Sequence, residues 1–158
     1  MGGREGFAST EERMRELRTE IQISAPIEQV WQVLTDFDHW KDWNPMVNQA
    51  SGSASVRSKL NITMRGPDSK DAMKYQPTVL EVNPPKSFRW RATMISGVIF
   101  TNDRVFELKE KQGGTELINK EEFSGLMVPL FWSKMNLFVV PMLEKMNKAL
   151  KDKMEAKS

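Results

Sequence analysis

Apolar and polar residues alternate along much of the chain, a period of two that is typical of β-strands with one buried face. The alternation predicts strands at residues 19–24, 58–64, 73–82, 87–94, 98–110 and 115–123, with a strand-like lead-in at 46–54. Turn-forming residues separate these segments at 65–69, 83–86 and 111–114. Consecutive strands joined by short turns predict an antiparallel sheet, in which Pro77 indicates an edge or a bulge.

Two short helices are predicted directly after the first strand, because apolar residues there recur at helical spacing. The first covers residues 27–34 and follows Pro26, which suits an early helical position. The second covers residues 36–43 and places Trp40 and Trp43 on one face.

The longest predicted helix covers residues 125–153 and has a broad apolar surface. Residues 126–143 are apolar almost all round, whereas the later turns are amphipathic. Pro129 fits the first turn, and Pro141 predicts a kink because an internal proline removes a backbone hydrogen bond. We expect the part before the kink to roof a cavity and the part beyond it to pack in the core alone.

So broad an apolar helix needs a concave surface to lie in, and the predicted sheet supplies one. The pattern therefore predicts an α+β fold, a curved antiparallel sheet of about seven strands wrapped around the long C-terminal helix. Residues 1–18 are interpreted as a charged, flexible lead-in with a short helix at 10–18. Residues 19–158 are interpreted as a single domain.

Composition removes several kinds of chemistry from consideration. The net charge is +2 and the basic residues are interleaved with acidic ones, so no nucleic-acid partner is expected. The chain has no cysteine, which excludes disulfides and thiolate chemistry, and His39 is its only histidine. A transition-metal site would then need carboxylates for nearly every ligand, so no metal is expected.

Sequence motifs for other chemistries and for targeting to a membrane or to secretion are also missing. No phosphate-binding glycine loop, nucleophile elbow or zinc-protease motif is present, and no cofactor is expected. No signal-peptide pattern begins the chain, so a cytoplasmic location is predicted. Ser133, Lys134 and Asn136 interrupt the apolar run at 126–143, so no transmembrane segment is predicted, while transient membrane contact stays open.

Short motifs occur in a set order along residues 19–153: ISAP (23–26), VW (30–31), LTDF (34–37), WNP (43–45), VNPP (82–85), GGT (113–115) and EEFSG (121–125). Together they resemble the SRPBCC superfamily, the helix-grip fold of START lipid-transfer domains, pollen-allergen-like proteins and polyketide cyclase/dehydrase-like proteins. The resemblance implies a largely enclosed apolar cavity, open at one end, between sheet and helices. It does not indicate a reaction, because functions in this superfamily diverge widely.

The last two predicted strands carry polar residues among their apolar inward positions. If the apolar positions face inward, strand parity brings Asn102, Arg104, Asn119 and Glu121 with them and pairs Arg104 with Glu121. One interpretation is a buried ion pair that holds the sheet together. The other is the polar end of a pocket, where Arg104 binds a ligand carboxylate, phenolate or enolate and Glu121 acts as base or orienter. In that case Arg104, Glu121 and Asn119 are the candidate catalytic residues.

Candidate ligand contacts are mostly large apolar or aromatic side chains, each of which also suits ordinary core packing. They are Trp40, Trp43, Met64, Tyr75, Trp90, Phe100, Asn102, Phe106, Phe123, Trp132, Met135 and Val139. Tyr75 is the only tyrosine, and its hydroxyl can donate to a ligand. His39 is expected to be exposed, and a catalytic role is the less favoured interpretation.

The favoured function is binding of a hydrophobic small molecule, such as a lipid, sterol or polyketide, in the cavity. The alternative is a cofactor-free polyketide cyclase or dehydratase that folds its substrate and moves protons with Arg104, Glu121 or Asn119. A third hypothesis is a carrier whose residues 126–132 touch a bilayer or a donor protein.

Overall fold

The computed structural model describes residues 14–94, Gly97 and residues 99–156. The elements follow in the order β1 (Arg15–Ile23), α1 (Ile27–Thr35), a 3-10 helix (Phe37–Asp42), β2 (Val47–Ser51), β3 (Asn61–Arg65), β4 (Asp71–Tyr75), β5 (Thr78–Asn83), β6 (Ser87–Met94), β7 (Phe100–Lys111), β8 (Gly114–Ser124) and α2 (Val128–Glu155). Five strands form an antiparallel sheet in the order β1-β8-β7-β6-β5, and β2-β3-β4 form a second sheet. This arrangement confirms the predicted helix-grip architecture.

Strand β1 begins at Arg15, four residues before its predicted start. Arg15 to Arg18 pair with Phe123 to Lys120 of β8, so the predicted helix at 10–18 is wrong for these residues. Leu17 and Thr19 are buried between exposed neighbours, as a strand requires. The alternating charges hide this period, and the pairing partner lies about a hundred residues away. Residues 1–13 of the predicted lead-in lie outside the described part of the chain.

The predicted strand at 73–82 is two strands, β4 and β5, which belong to different sheets. Pro77 lies between them and has no N–H to donate to a ladder. Its carbonyl accepts a hydrogen bond from Leu60 N at 2.9 Å, and Lys59 forms a single bridge with Thr78. The proline therefore marks the point where the chain passes from one sheet to the other.

Gly125 joins β8 to α2 and directs the helix across the sheet. Its φ of 119° lies in the region that favours glycine, and an added Cβ would collide with the carbonyl of Ile99. The same carbonyl accepts a hydrogen bond from Met127 N at 3.1 Å. The start of α2 is thus held beside the beginning of β7, and α2 then packs over β1 and β8.

The core has two clusters of buried side chains. The larger one packs α1 and the 3-10 helix against the sheet and contains an aromatic group in which Phe88 stacks on Phe106 with 4.7 Å between ring centroids. The smaller one surrounds Phe123 under the first half of α2, where Trp132 packs edge-on against it. The guanidinium of Arg15 lies 5.2 Å from the centroid of the Trp132 ring. The space between these two clusters contains the candidate site.

Candidate ligand-binding site

A cavity of about 300 Å³ lies between α2 and the concave side of the sheets. Its walls come from the 3-10 helix, the segment that follows it, β2, β3, β4, β6, β7, β8 and α2. The predicted site residues that line it are Trp40, Met64, Tyr75, Trp90, Phe100, Asn102, Arg104, Glu121, Phe123 and Val139. The structure therefore brings together, around one space, side chains that the sequence separates by up to a hundred residues.

The remaining predicted site residues do not line the cavity. Trp132 and Met135 pack in the smaller core cluster, and Phe106 is fully buried among aromatic rings. Trp43 packs edge-on against Trp40 with 5.8 Å between centroids, and its indole N–H is buried with no hydrogen-bond partner among the described residues. Asn119 is also fully buried.

The expectation that only the part of α2 before Pro141 lines the cavity is wrong. Beyond Pro141, where core packing alone is expected, Met142, Leu143 and Met146 line the cavity. Before Pro141, only Val139 does so. Other side chains of that first half, such as Leu130, Leu137 and Phe138, are exposed on the opposite side of the helix. The helix is continuous through the proline, and its rotation about its own axis decides which side faces inward.

Arg104 is the centre of the polar end of the cavity. It stands directly opposite Glu121 in the ladder of β7 and β8, which confirms the pair that strand parity predicts. Its Nη1 donates to Glu121 Oε1 at 3.0 Å, and both side chains are about one-seventh exposed, at 13% and 14%. Its Nε donates to Asn119 Oδ1 at 2.7 Å, and its Nη2 to Met146 Sδ at 3.2 Å. The guanidinium is therefore engaged by protein atoms through all three nitrogens.

A network of hydrogen bonds between buried side chains positions the guanidinium of Arg104. Asn119 Nδ2 donates to Asn147 Oδ1, and Asn147 Nδ2 donates to Thr19 Oγ1, both at 2.8 Å. The Thr19 hydroxyl donates to the backbone carbonyl of Asn119 at 2.7 Å. This network links β1, β8 and α2, and it gives Asn119 a role in positioning the guanidinium. The sequence signal for Asn147 is an amide on the same helix face as Leu143 and Leu150.

Tyr75 faces the cavity from β4, on the other sheet. Burial raises the pKa of Tyr75 to about 12; the charge of Arg104 lowers it and that of Glu121 raises it. The phenol therefore stays protonated at neutral pH. Within the described part of the chain its hydroxyl has no hydrogen-bond partner, so its proton is free for a ligand. Glu121 Oε2 has one long contact, 3.4 Å from Asn102 Nδ2.

The cavity opens between β4, β6 and α2. Of the residues that line it, Met73 and Met142 are 47% and 37% exposed, and Gln76 and Thr93 are exposed as well. Methionines recur around the space, with Met46 and Met64 on further walls. Because methionine is flexible and polarisable, such walls adapt to irregular apolar ligands.

His39 lies outside this site. Its side chain is exposed on the 3-10 helix and forms a 2.8 Å hydrogen bond with Asp36 Oδ2, which raises the pKa of the imidazole. In the ranges that the structure describes, no group of three or more metal-ligating side chains could hold a metal ion. No described helix is long and apolar enough to span a membrane.

The curved sheet, the short helices and the cavity beneath a long C-terminal helix define a helix-grip protein. The model of the family described as "Polyketide cyclase / dehydrase and lipid transport" matches residues 14–155, and the chain belongs to this family within the SRPBCC superfamily. No curated protein matches the chain in sequence.

Solved structures resemble the chain in fold at low sequence identity. The di-domain ARO/CYC StfQ from the steffimycin biosynthetic pathway superposes with a TM-score of 0.75 at 10% identity, over 93% of this chain and 54% of that one. A START superfamily protein from Mycobacterium smegmatis gives 0.69 at 16%, over 90% and 99%. A protein of unknown function from Staphylococcus aureus gives 0.71 at 12%, over 90% and 94%. The chain thus spans about half the length of the di-domain protein.

Proposed function

We propose that this protein binds a hydrophobic small molecule in the cavity between the sheets and α2. The observation that carries the proposal is the cavity itself, whose mainly apolar walls surround one cluster of polar side chains. This combination is typical of small-molecule sites, in which apolar contact supplies affinity and a few polar groups fix orientation.

The size of the cavity limits the ligand. At about 300 Å³ it lies at the lower end of small-molecule pockets, and it is about twice as large as an engineered protein cavity of ~150 Å³ that admits benzene. A compact ligand of two or three rings suits this space, and a longer lipid or sterol would extend through the opening at Met73 and Met142. Burial of apolar ligand surface contributes about 25 cal/mol per Å² before the entropic cost of binding is subtracted.

A cavity-filling variant tests the proposal. Ala92 lines the cavity, so Ala92→Phe should weaken binding of 2-naphthol by about tenfold or more, measured by quenching of tryptophan fluorescence. Ala72→Phe is the matched control, because Ala72 lies on exposed β4 outside the cavity walls. Unchanged affinity in Ala92→Phe, with an intact circular dichroism spectrum, would contradict binding in this cavity.

A cofactor-free cyclase or dehydratase is the second candidate. Its support is the convergence of Tyr75, Arg104 and Glu121 on an apolar cavity, together with the family description and the likeness to a di-domain ARO/CYC protein. Such a site could hold a flexible polyketone in a reactive conformation and polarise one carbonyl. However, a general acid works best with a pKa near the working pH, and the pKa of Tyr75 is raised to about 12. In addition, Arg104 and Glu121 already pair with each other in a mainly apolar cavity, so the geometry favours binding.

Two variants separate these candidates. Arg104→Ala and Glu121→Ala are compared with the parent protein for 2-naphthol affinity and for conversion of a linear poly-β-ketone thioester to an aromatic product. Loss of turnover with retained affinity would establish the enzyme. A parent protein that binds 2-naphthol but leaves the polyketone unchanged would exclude it.

A further inference from the structure

We infer that the polar end of the cavity selects a ligand with a neutral hydroxyl or carbonyl oxygen and rejects the corresponding carboxylate. This inference rests on the proposed binding function and names the class of ligand. It also revises the expectation that Arg104 binds a ligand carboxylate, phenolate or enolate. The reasons are the charge balance of the cavity walls and the distribution of unused hydrogen-bonding capacity.

The charge balance of the described cavity walls is zero. Arg104 and Glu121 are the only charged side chains among these lining residues, and they form an ion pair with each other. A ligand carboxylate would leave water for a mainly apolar space and find no uncompensated cation there. It would also lie near the carboxylate of Glu121, which repels it. Burial of an anion is therefore unfavourable at this end of the cavity.

The guanidinium of Arg104 has little left to offer an anion. One N–H of each nitrogen already donates to a protein atom, on Asn119, Glu121 or Met146. A ligand carboxylate would have to share the two remaining N–H groups of a guanidinium whose charge is already balanced by Glu121. Ligand recognition therefore falls to other atoms.

Two such atoms are the Tyr75 hydroxyl, which is a donor, and Glu121 Oε2, which is an acceptor. The Tyr75 hydroxyl faces the cavity without a protein partner among the described residues, and burial keeps it protonated. Glu121 Oε2 receives only the long contact from Asn102. Tyr75, Arg104 and Glu121 line the same cavity. A ligand hydroxyl can accept from Tyr75 and donate to Glu121, and a ligand ketone can accept from Tyr75 alone.

Four probes that share the naphthalene ring test the inference: naphthalene, 2-naphthol, 2-acetylnaphthalene and 2-naphthoate. Their dissociation constants are measured at neutral pH by tryptophan quenching and confirmed by calorimetry. We expect the parent protein to bind 2-naphthol and 2-acetylnaphthalene at least about tenfold more tightly than 2-naphthoate, because only the last buries a charge. Since this ratio needs no variant, the test does not depend on a mutant that folds.

Variants then assign the selectivity to the named side chains. Glu121→Gln keeps the shape but leaves Arg104 without its counter-charge, so it should tighten 2-naphthoate by about tenfold or more and reverse or abolish the ratio. Tyr75→Phe should weaken 2-acetylnaphthalene by about two- to tenfold and leave naphthalene, which has no acceptor, unchanged. Glu122→Gln is the matched control, because Glu122 is the next residue on β8 but lies on the outer face, paired with Arg89.

The outcomes separate this inference from the proposed function. If naphthalene and the neutral probes all fail to bind, the proposed function is wrong and the inference falls with it. If the neutral probes bind but 2-naphthoate binds as tightly as 2-naphthol, the function stands and the inference is overturned. An unchanged ratio in folded Glu121→Gln would also overturn it.

Discussion

The sheet formed by β6, β7 and β8 carries an arginine–carboxylate cluster on each of its two faces. On the inner face Arg104 pairs with Glu121 at 3.0 Å. On the outer face Arg89 bridges Asp103 and Glu122, at 2.9 Å and 2.6 Å. Asp103 and Glu122 are the chain neighbours of Arg104 and Glu121, so the two clusters lie on opposite faces of the sheet, and the inner one lines the cavity.

The two clusters differ in how much hydrogen-bonding capacity they leave unused. On the outer face Asp103 accepts from Arg91 as well as Arg89, so its side chain is enclosed by cations and only 6% exposed. On the inner face the Arg104–Glu121 pair is held by amides, and one Glu121 oxygen and the Tyr75 hydroxyl of the same cavity retain hydrogen-bonding capacity. An ion cluster that closes on itself stabilises a sheet, whereas one that borders an apolar space with spare capacity is suited to orient a ligand.

The largest expected effect is on the outer face. Asp103→Ala leaves Arg91 without its carboxylate partner and Arg89 without one of its partners, and should lower the free energy of unfolding by about 2–3 kcal/mol in urea denaturation. The affinity for 2-naphthol should not change, because Asp103 does not line the cavity. Lys109→Ala, on exposed β7 surface, is the control and should stay within about 0.5 kcal/mol of the parent. Loss of 2-naphthol binding in folded Asp103→Ala would contradict the comparison, because it would show that the outer cluster also affects ligand binding.

A somewhat smaller effect on stability is expected for the amide network that positions the inner pair. Asn147→Ala removes the partner of Asn119 Nδ2 and of the Thr19 hydroxyl, and should lower the free energy of unfolding by about 1–3 kcal/mol. Lys148→Ala is the neighbouring control, because its pair with Asp152 is exposed and contributes little. Equal stability of the two variants would show that the amide network does not hold α2 to the sheet.

The inner face should also respond to alkaline pH through Tyr75. Burial raises the pKa of Tyr75 from 10.0 to about 12, so between these values the folded protein keeps a proton that the unfolded chain has lost. The stabilisation is complete below pH ~10 and is lost as the pH rises through ~12. Phenolate absorbance reports this group alone, because the chain has one tyrosine. A midpoint near 10 in the folded protein would place the phenol in water.

The smallest effect belongs to the exposed pair of His39 and Asp36, outside both clusters. The hydrogen bond to Asp36 raises the pKa of His39 above 6.5, so its slight stabilisation is complete below that pH and is lost as the pH rises through the raised value. Ring-proton NMR of this single histidine should show a midpoint that falls in Asp36→Asn. Binding of 2-naphthol should be the same in both proteins, and a change would connect this helix to the cavity.

The inner ion pair could be predicted from sequence because strand parity is a local property. A two-residue turn joins β7 to β8, and their register continues without a bulge from Lys111 opposite Gly114 to Thr101 opposite Ser124. Arg104 and Glu121 must then face each other. Their common face is the concave one because the neighbouring apolar positions require burial.

Other parts of the site could not be predicted in this way. The broad apolar surface of α2 gives no unique orientation, so the expectation placed Trp132 and Met135 on the cavity, whereas the fold places Met142, Leu143 and Met146 there. The inclusion of Arg15 in β1 depends on pairing with β8, a partner that no local pattern reveals.

The sequence by itself determined the order of the elements, the antiparallel sheet, the long helix and the inward direction of Arg104 and Glu121. These features depend on periodicity and on turns between neighbouring segments, which are short-range properties of a chain. Only the tertiary structure decided which side of α2 meets the cavity, that Tyr75 from the other sheet lines the same cavity as Arg104, and that Asn147 completes the amide network that positions Arg104. These features depend on rotation and docking of distant elements, which follow from the packing of the whole core.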